Sequence, residues 1–94
     1  MIIVRNTFIA KPGQAGKLAA QLKDMANSGN LRNARVMTDL TGEFNHVIME
    51  HTVESAAEFE ELITKYSSDP KAREAAKGYT DLWTTGRREL LRVV

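Results

Sequence analysis

Two amphipathic helical patterns, each lying between segments that favour β-strands, limit the folds that this chain can adopt. The first spans Gln14–Ala26 and the second begins at Ser55 and reaches Tyr66, and in both the apolar residues recur every three or four positions. This spacing places the apolar side chains on one face of a helix. Ser55 and Glu58 also have the spacing of a capping box, which predicts the start of the second helix.

Four segments rich in β-branched and other apolar residues predict strands. They are Ile2–Ala10, Leu31–Leu40, Phe44–Val53 and Arg87–Val94. The turn Thr41-Gly42-Glu43 between the second and third segments is short enough for an antiparallel hairpin. These segments therefore predict a sheet that contains at least one hairpin.

A third helix is predicted from Pro70 to about Thr84. Asp69 is a suitable N-cap and Pro70 is favoured as a first helical residue, and the apolar stripe continues to Trp83. Gly78 lies inside this stripe. In a helix it costs about 1 kcal/mol relative to alanine, and it could instead divide the helix.

The order of these elements is strand, helix, strand, strand, helix, helix, strand. Without the extra helix before the last strand, this is the ferredoxin-like βαββαβ order. We therefore expect an α+β fold with a four-stranded antiparallel sheet and helices on one face. Ninety-four residues suffice for a single ferredoxin-like domain, residues 1–94, and leave no room for a second.

The third strand has apolar residues on both of its faces, which bears on what covers the sheet. Phe44 and Ile48 alternate with Val47 and Met49, so both faces are expected to be covered. Helices cover one face. A second copy of the same sheet is the simplest cover for the other, which predicts a two-fold homodimer. The alternative is a half-open sheet with a few exposed apolar residues.

Three segments resemble the dimeric α+β barrel superfamily, which includes antibiotic-biosynthesis-monooxygenase-type and NIPSNAP-like proteins. They are Lys11-Pro12-Gly13 after the first strand, the strand-to-helix run from Ile48 to Phe59, and the closing segment Gly86–Val94. The resemblance implies a homodimer whose two sheets close a barrel. Members include cofactor-free monooxygenases, haem-degrading enzymes, decarboxylases and proteins with no known activity, so the resemblance does not imply one reaction.

Haem-degrading relatives have an asparagine on the first strand, a tryptophan at the end of the third strand and a helical histidine. Asn6 matches the first of these. The tryptophan position falls near Val53, and neither His46 nor His51 lies on a predicted helix. The resemblance therefore does not extend to haem, and we expect no cofactor.

Composition and motifs disfavour several classes of function. The absence of cysteine excludes disulfides, thiol catalysis and iron–sulfur clusters, and no phosphate loop, dinucleotide fingerprint, zinc-protease motif or calcium loop is present. A net charge of +1, with Phe8 and Phe44 the lone aromatics of the first and third strands, argues against nucleic-acid binding. No targeting signal or run of about 20 apolar residues occurs, so we expect a metal-free cytoplasmic protein with no membrane partner.

His46 and Glu50 are the first candidates for catalysis. They are four residues apart on one predicted strand, so they share a face with Phe44. A buried carboxylate needs a partner, which Arg5 or Arg87 could supply from neighbouring strands. In an enzyme, His46 would be the base and Glu50 would orient it. The alternative is that the cluster is a structural ion pair or a dimer contact.

Asn6 and His51 are further candidates. Asn6 could orient the base in place of Glu50. His51 is an odd number of residues from His46, so the two histidines lie on opposite faces of the strand and cannot readily act as a pair. His51 is therefore either a hydrogen-bonded strand histidine or a ligand contact.

Three aromatic residues could form the wall of a ligand pocket. Tyr79 and Trp83 are four residues apart on the third predicted helix, so they share a face, and Tyr66 could join them. The alternative is that they pack the helix against the sheet.

The sequence thus predicts a homodimer that binds a small, largely apolar molecule, or binds nothing beyond itself. The alternative is a cofactor-independent monooxygenase- or isomerase-like enzyme, and a third possibility is a regulatory binding module. No motif decides between binding and catalysis.

Overall fold

The computed structural model describes residues 1–94 and has the α+β architecture that the sequence predicts. Its elements are β1 (Ile2–Ala10), α1 (Ala15–Ser28), β2 (Arg32–Thr38), β3 (His46–Val53), α2 (Ala56–Ser68), α3 (Pro70–Ala76), a 3-10 turn (Tyr79–Leu82) and β4 (Trp83–Arg92). The βαββαβ order with an extra helix before the last strand is confirmed. None of the helices is long and apolar enough to cross a membrane.

The four strands form one antiparallel sheet in the order β2-β3-β1-β4. The central strand β1 pairs with β3, with Asn6 opposite Met49, and with β4, with Asn6 opposite Arg88. Because paired residues share a face and faces alternate along each strand, this register fixes which side chains meet. One face, which we call the inner face, lies under the helices. The other, the outer face, has no helix over it.

The packed core lies between α1 and the inner face. Leu18, Leu22 and Ala26 of α1 are buried against Phe8 and Val47 of the sheet. The helix has the three-to-four spacing that the sequence predicts, and it ends two residues later, at Ser28. The half of the sheet under α1 is therefore close-packed.

The helix α2 packs less completely. Its start is confirmed, since the Ser55 hydroxyl accepts a hydrogen bond from the backbone N–H of Glu58 at 3.2 Å. No residue of α2 is fully buried. Its apolar stripe of Phe59, Leu62 and Tyr66 is only half-buried, which leaves space between this helix and the sheet.

The predicted single third helix is wrong in its length, and the alternative, in which Gly78 divides it, is confirmed. Asp69 caps it, its Oδ1 accepting from the backbone N–H of Lys71 at 2.9 Å, but the helix ends at Ala76. Gly78 then has a φ of 80°, a left-handed conformation that glycine adopts without the usual steric penalty. The chain turns there, so that β4 begins at Trp83 instead of Arg87. Trp83 is consequently a strand residue.

Three other predicted details of the strands are wrong. The strand β3 begins at His46, and Phe44 lies before it, 89% exposed, in the β2–β3 connection. The carboxylate of Asp39 accepts hydrogen bonds from the backbone N–H groups of Thr41 and Gly42, which ends β2 early. Gly86 does not precede the last strand but lies within it, where a side chain would press on the ring of Phe8.

Candidate functional site

A cavity of about 350 Å³ lies between α2 and the inner face of the sheet, and residues of α1 and α3 also line it. Its sheet side is formed by residues that include Phe8 and Met49, and its α2 side by Phe59, Leu62 and Ile63. Most of the lining is apolar. The cavity exists because the stripe of α2 faces the sheet without filling the space beneath it.

Three polar side chains from three strands meet the cavity on the sheet side. They are Asn6 of β1, His51 of β3 and Arg88 of β4. Asn6 is opposite Arg88 in the sheet, and Val4, two residues before Asn6, is opposite His51. The register therefore places all three on the inner face.

Arg88 is held by two contacts. Its Nε donates a hydrogen bond to Oδ1 of Asn6 at 2.8 Å, and its guanidinium carbon lies 5.2 Å from the ring centroid of Phe59. The second is a cation–π contact between β4 and α2. None of the ion pairs in the structure includes Arg88. The guanidinium is thus oriented but has no carboxylate partner.

His51 is 5% exposed, and its Nδ1 is buried without a hydrogen-bond partner. Burial lowers the pKa of its imidazole below the ordinary value of 6.5, the positive charge of Arg88 lowers it further, and Glu58 opposes both. The ring is therefore largely neutral at pH 7. A neutral imidazole can accept a proton or donate a hydrogen bond, depending on its tautomer.

Two of the three predicted aromatic residues line the cavity. Tyr66 and Tyr79 both contact it, and burial raises the pKa of the Tyr66 phenol. Trp83 does not line it. Its ring packs 5.3 Å from Phe8 and 6.2 Å from Tyr79, measured between centroids, behind the cavity wall.

The predicted cluster around Glu50 lies on the outer face, away from this cavity. Glu50 is buried there because two arginine side chains cover it: Arg5 Nε is 2.6 Å from Oε2 and Arg35 Nη2 is 2.9 Å from Oε1. The hydrogen bond from Arg5 holds the pKa of the Glu50 carboxyl below its ordinary value, against burial, and Arg35 adds to this. A second depression, of about 380 Å³, lies beside Glu50 and Arg35.

Three predicted site residues belong neither to the cavity nor to the Glu50 cluster: His46, Phe44 and Arg87. His46 Nδ1 lies 3.3 Å from Oδ2 of Asp39, in the β2–β3 connection. Phe44 is not on the strand at all, and the nearest carboxylate to Arg87 is that of Glu89, 4.0 Å away. The structure therefore pairs Glu50 with Arg5, one of its two predicted partners, and with Arg35, which was not among them. No three His, Asp or Glu side chains converge into a potential metal-binding group.

Arg88 is the site residue that sequence reasoning missed. Arg87 and Arg88 are adjacent, so they point to opposite faces of β4, and the sequence does not show which of them shares a face with Asn6. The pairing of Asn6 with Arg88 decides it. The sequence alone does not give the register between β1 and β4, which is needed to identify Arg88 as the residue on the cavity side.

The fold has close structural matches among solved proteins. An uncharacterized NIPSNAP domain protein from Burkholderia xenovorans has a TM-score of 0.85 at 12% identity, covering 100% of this chain and 95% of that one. A NIPSNAP family protein from Agrobacterium tumefaciens has a TM-score of 0.84 at 13% identity, covering 99% and 92%. A Chloroflexus aurantiacus protein described as an antibiotic biosynthesis monooxygenase has a TM-score of 0.72 at 16% identity, covering 99% and 93%.

These matches confirm the ferredoxin-like fold and the predicted resemblance at the level of the fold. No family sequence model matches the chain, and no curated protein sequence does. At such low sequence identity, a shared fold does not show that two proteins catalyse the same reaction. The basis for inferring function is therefore the cavity and its three polar residues.

Proposed function

We propose that this protein binds a small, largely apolar molecule in the cavity between α2 and the sheet. The observation that supports this is the incomplete packing of α2, whose apolar stripe faces a volume of about 350 Å³. Small-molecule pockets span about 300–1,000 Å³ and combine an apolar lining with a few placed polar groups. Asn6, His51 and Arg88 are such groups.

The test uses naphthalene-2-carboxamide, a neutral apolar probe, titrated into the ¹⁵N-labelled protein. We expect shifts of the amide signals of Met49, Leu62 and Tyr66, which surround the cavity, and little change at Thr7 and Ile48 on the outer face. Leu62→Phe adds volume inside the cavity and is expected to weaken binding about tenfold or more.

Leu40→Phe is the matched control, because Leu40 is 94% exposed in the β2–β3 connection. The same change of side chain there leaves the cavity intact, so binding is expected to equal that of the wild type. Binding that survives Leu62→Phe unchanged, or that shifts the outer face instead, would contradict the proposal.

A second candidate function is a cofactor-independent enzyme, and the unpartnered Nδ1 of His51 favours it. His51 replaces His46 as the base in this version, since His46 lies outside the cavity. A neutral imidazole could take a proton from a carbon beside a carbonyl group and return it to another carbon, as in an isomerase. Arg88 would stabilise the enolate oxygen. The likeness to the Chloroflexus aurantiacus protein, which is assigned as an antibiotic biosynthesis monooxygenase, supports a monooxygenase version, in which dioxygen is the co-substrate and the organic substrate supplies the electrons.

The enzyme candidate is tested with 2-tetralone, a ketone of naphthalene size with acidic C–H bonds, dissolved in D₂O. Catalysis predicts protein-dependent exchange of these hydrogens for deuterium, followed by ¹H NMR. His51→Gln is expected to abolish the acceleration and His46→Gln to retain it. Exchange at the buffer rate with the wild type would leave binding as the function.

We also propose that a second copy of the chain covers the outer face. Five half-buried apolar side chains lie on this face, where no helix packs: Ile3, Ile9, Met37, Ile48 and Leu91. A row of charges crosses it, because Arg35 is opposite Glu50, Glu50 opposite Arg5, and Arg5 opposite Glu89.

This alternating row favours one arrangement of two such faces. If the two-fold axis of the dimer is parallel to the strands, the charged rows of the two copies run in opposite directions. Arg35 then faces the partner's Glu89, and each charge faces an opposite charge. When the axis runs across the strands, like charges meet, which is unfavourable. Ile48→Lys is expected to yield monomers in sedimentation velocity, whereas Ala20→Lys, on the exposed side of α1, retains the dimer. A wild-type monomer at micromolar concentration would contradict this proposal.

A further inference from the structure

We propose that the ligand of the cavity is a monocarboxylate with an apolar body, and that Arg88 binds its carboxylate group. This inference rests on the binding function proposed above and adds the chemical class of the ligand. Its basis is the contrast between a fixed, unpaired cation on the sheet side of the cavity and the apolar lining of the rest.

Arg88 differs from the arginines of the outer face. Arg5 and Arg35 both bond to Glu50, and Arg87 has Glu89 at 4.0 Å. Arg88 has no carboxylate within that distance. Only its Nε is used, in the bond to Asn6. The two terminal nitrogens, with four N–H donors, are left for a planar oxyanion, which a guanidinium can bind through two parallel hydrogen bonds.

The carboxylates near the cavity have other partners. Glu58, whose charge acts on His51, bonds to the guanidinium of Arg32 and to the backbone N–H of Glu54. Asp69, which lines the cavity, caps α3 through the backbone N–H of Lys71. Neither carboxylate neutralises Arg88. A ligand carboxylate would do so.

His51 also lies on the sheet side of the cavity, near Arg88. It is 5% exposed, and its Nδ1 is buried without a partner. A buried polar atom without a partner costs free energy, so such atoms normally have one. His51 is a polar side chain on the sheet side of the cavity, and Arg88 is the one charged side chain there.

The apolar majority of the lining favours a ligand with one charged group. This lining includes Met49, Leu62 and Ile63, and its charged members besides Arg88 are Lys65 of α2 and Asp69, which follows α2. A second ionised group would lie against the apolar side chains and lose its hydration without compensation. The geometry therefore points to a single carboxylate on a hydrocarbon or aromatic body.

The experiment compares naphthalene-2-carboxylate with naphthalene-2-carboxamide, which has the same shape and no charge. Dissociation constants are measured at pH 7.5 by isothermal titration calorimetry. The wild type is expected to bind the carboxylate at least about tenfold more tightly than the amide. In Arg88→Gln this ratio is expected to fall to about one, because the carboxylate then has no cation to pair with and the charge no longer distinguishes the two probes.

Arg87→Gln is the matched control, since it removes the same charge from the neighbouring residue on the outer face. It is expected to keep the wild-type ratio, and Arg88→Lys, which keeps the charge but loses the two-pronged geometry, to keep part of it. Amide signals in a ¹H–¹⁵N spectrum show that each variant is folded. A ratio near one in the wild type, or an equal loss in both glutamine variants, would overturn the inference.

Failure of the inference and failure of the proposed function are distinguishable. Equal binding of both probes leaves the cavity as a binding site for apolar molecules and removes the carboxylate preference. Binding of neither probe contradicts the proposed function, and the inference is then lost with it.

Discussion

Asn6 on β1 and Arg88 on β4 face each other across the sheet, joined by a 2.8 Å hydrogen bond from Nε of Arg88 to Oδ1 of Asn6. Asn6 is 6% exposed, whereas Arg88 is an exposed residue. The buried amide thus sets the orientation of a charge at the edge of the cavity. This relationship links the fold to the proposed ligand.

Replacing Asn6 with leucine, which has a similar volume, is expected to reduce the preference for the carboxylate probe several-fold. Arg88 loses its acceptor but keeps its charge and its contact with Phe59, so part of the preference remains. The free energy of unfolding should change by no more than about 1 kcal/mol, because Arg88 Nε can bond to water instead. Calorimetry with the two naphthalene probes and urea denaturation test the two parts. A lost fold, or an unchanged preference, would contradict this role of Asn6.

Glu50→Gln is expected to lower the free energy of unfolding by about 1–2 kcal/mol at pH 7. The buried carboxylate accepts hydrogen bonds from two charged arginine side chains, which are 39% and 67% exposed. Because solvent screens these partners, the expected loss lies at the low end of the free energies measured for hydrogen bonds to charged groups. Because the folded-state pKa of Glu50 is lowered, its contribution is present above the ordinary value of 4.5 and is lost as the pH falls through the folded-state pKa.

The difference between Glu50→Gln and the wild type should therefore shrink in acid. Urea denaturation followed by the fluorescence of Trp83 at pH 7 and pH 3 measures it. Glu43→Gln, in the exposed β2–β3 connection, removes a charge without such bonds and should match the wild type. A difference that stays constant with pH would refute the assignment to the carboxylate charge.

His51 should make the protein less stable in mildly acidic solution. Its folded-state pKa lies below the ordinary 6.5, so the unfolded chain binds the proton more readily. Its contribution to stability is complete above pH 6.5 and is lost as the pH falls through the folded-state pKa. In His51→Leu this part of the pH dependence is expected to disappear, and in His46→Gln to remain. Unfolding curves between pH 5 and pH 8 test this, and an identical slope in His51→Leu and the wild type would count against it.

Gly78 and Gly16 are expected to respond oppositely to alanine. Gly78 has a φ of 80°, so Gly78→Ala should destabilise the protein by about 1–2 kcal/mol although its side chain would meet no other atom. Gly16 lies in the first turn of α1 with ordinary helical geometry and open space, so Gly16→Ala should stabilise by about 0.5–1 kcal/mol. Urea midpoints give both values. The same sign for both variants would contradict the assigned conformations.

The element order could be predicted because it depends on local patterns. The stripe of α1, the cap at Ser55 and the Asp69-Pro70 start are all determined by residues close in sequence, and all are confirmed. The apolar spacing of the third helix continues across Gly78, so a single helix to about Thr84 is wrong, whereas the alternative in which Gly78 divides the helix is confirmed. The same break turned Trp83 from a helical residue into a strand residue.

The candidate site could be predicted only in part, because it depends on contacts between strands. The alternation along β3 correctly separated His46 from His51, but it could not show that the face of His51 lies under the helices. The β1–β4 register, which places Arg88 and not Arg87 beside Asn6, is a long-range property. The cost of burying a carboxylate predicts a charged partner for Glu50 on Arg5 or Arg87, and the structure places Arg5 and Arg35 there.

The most direct test of the account is a filtered nuclear Overhauser experiment on the ¹³C-labelled protein with unlabelled naphthalene-2-carboxylate. We predict contacts between the naphthalene protons and the methyl groups of Met49, Leu62 and Ile63, which would place the aromatic body under α2. Contacts confined to Ile3, Met37 and Ile48 on the outer face, or none at saturating probe, would contradict the claim that this cavity is the binding site.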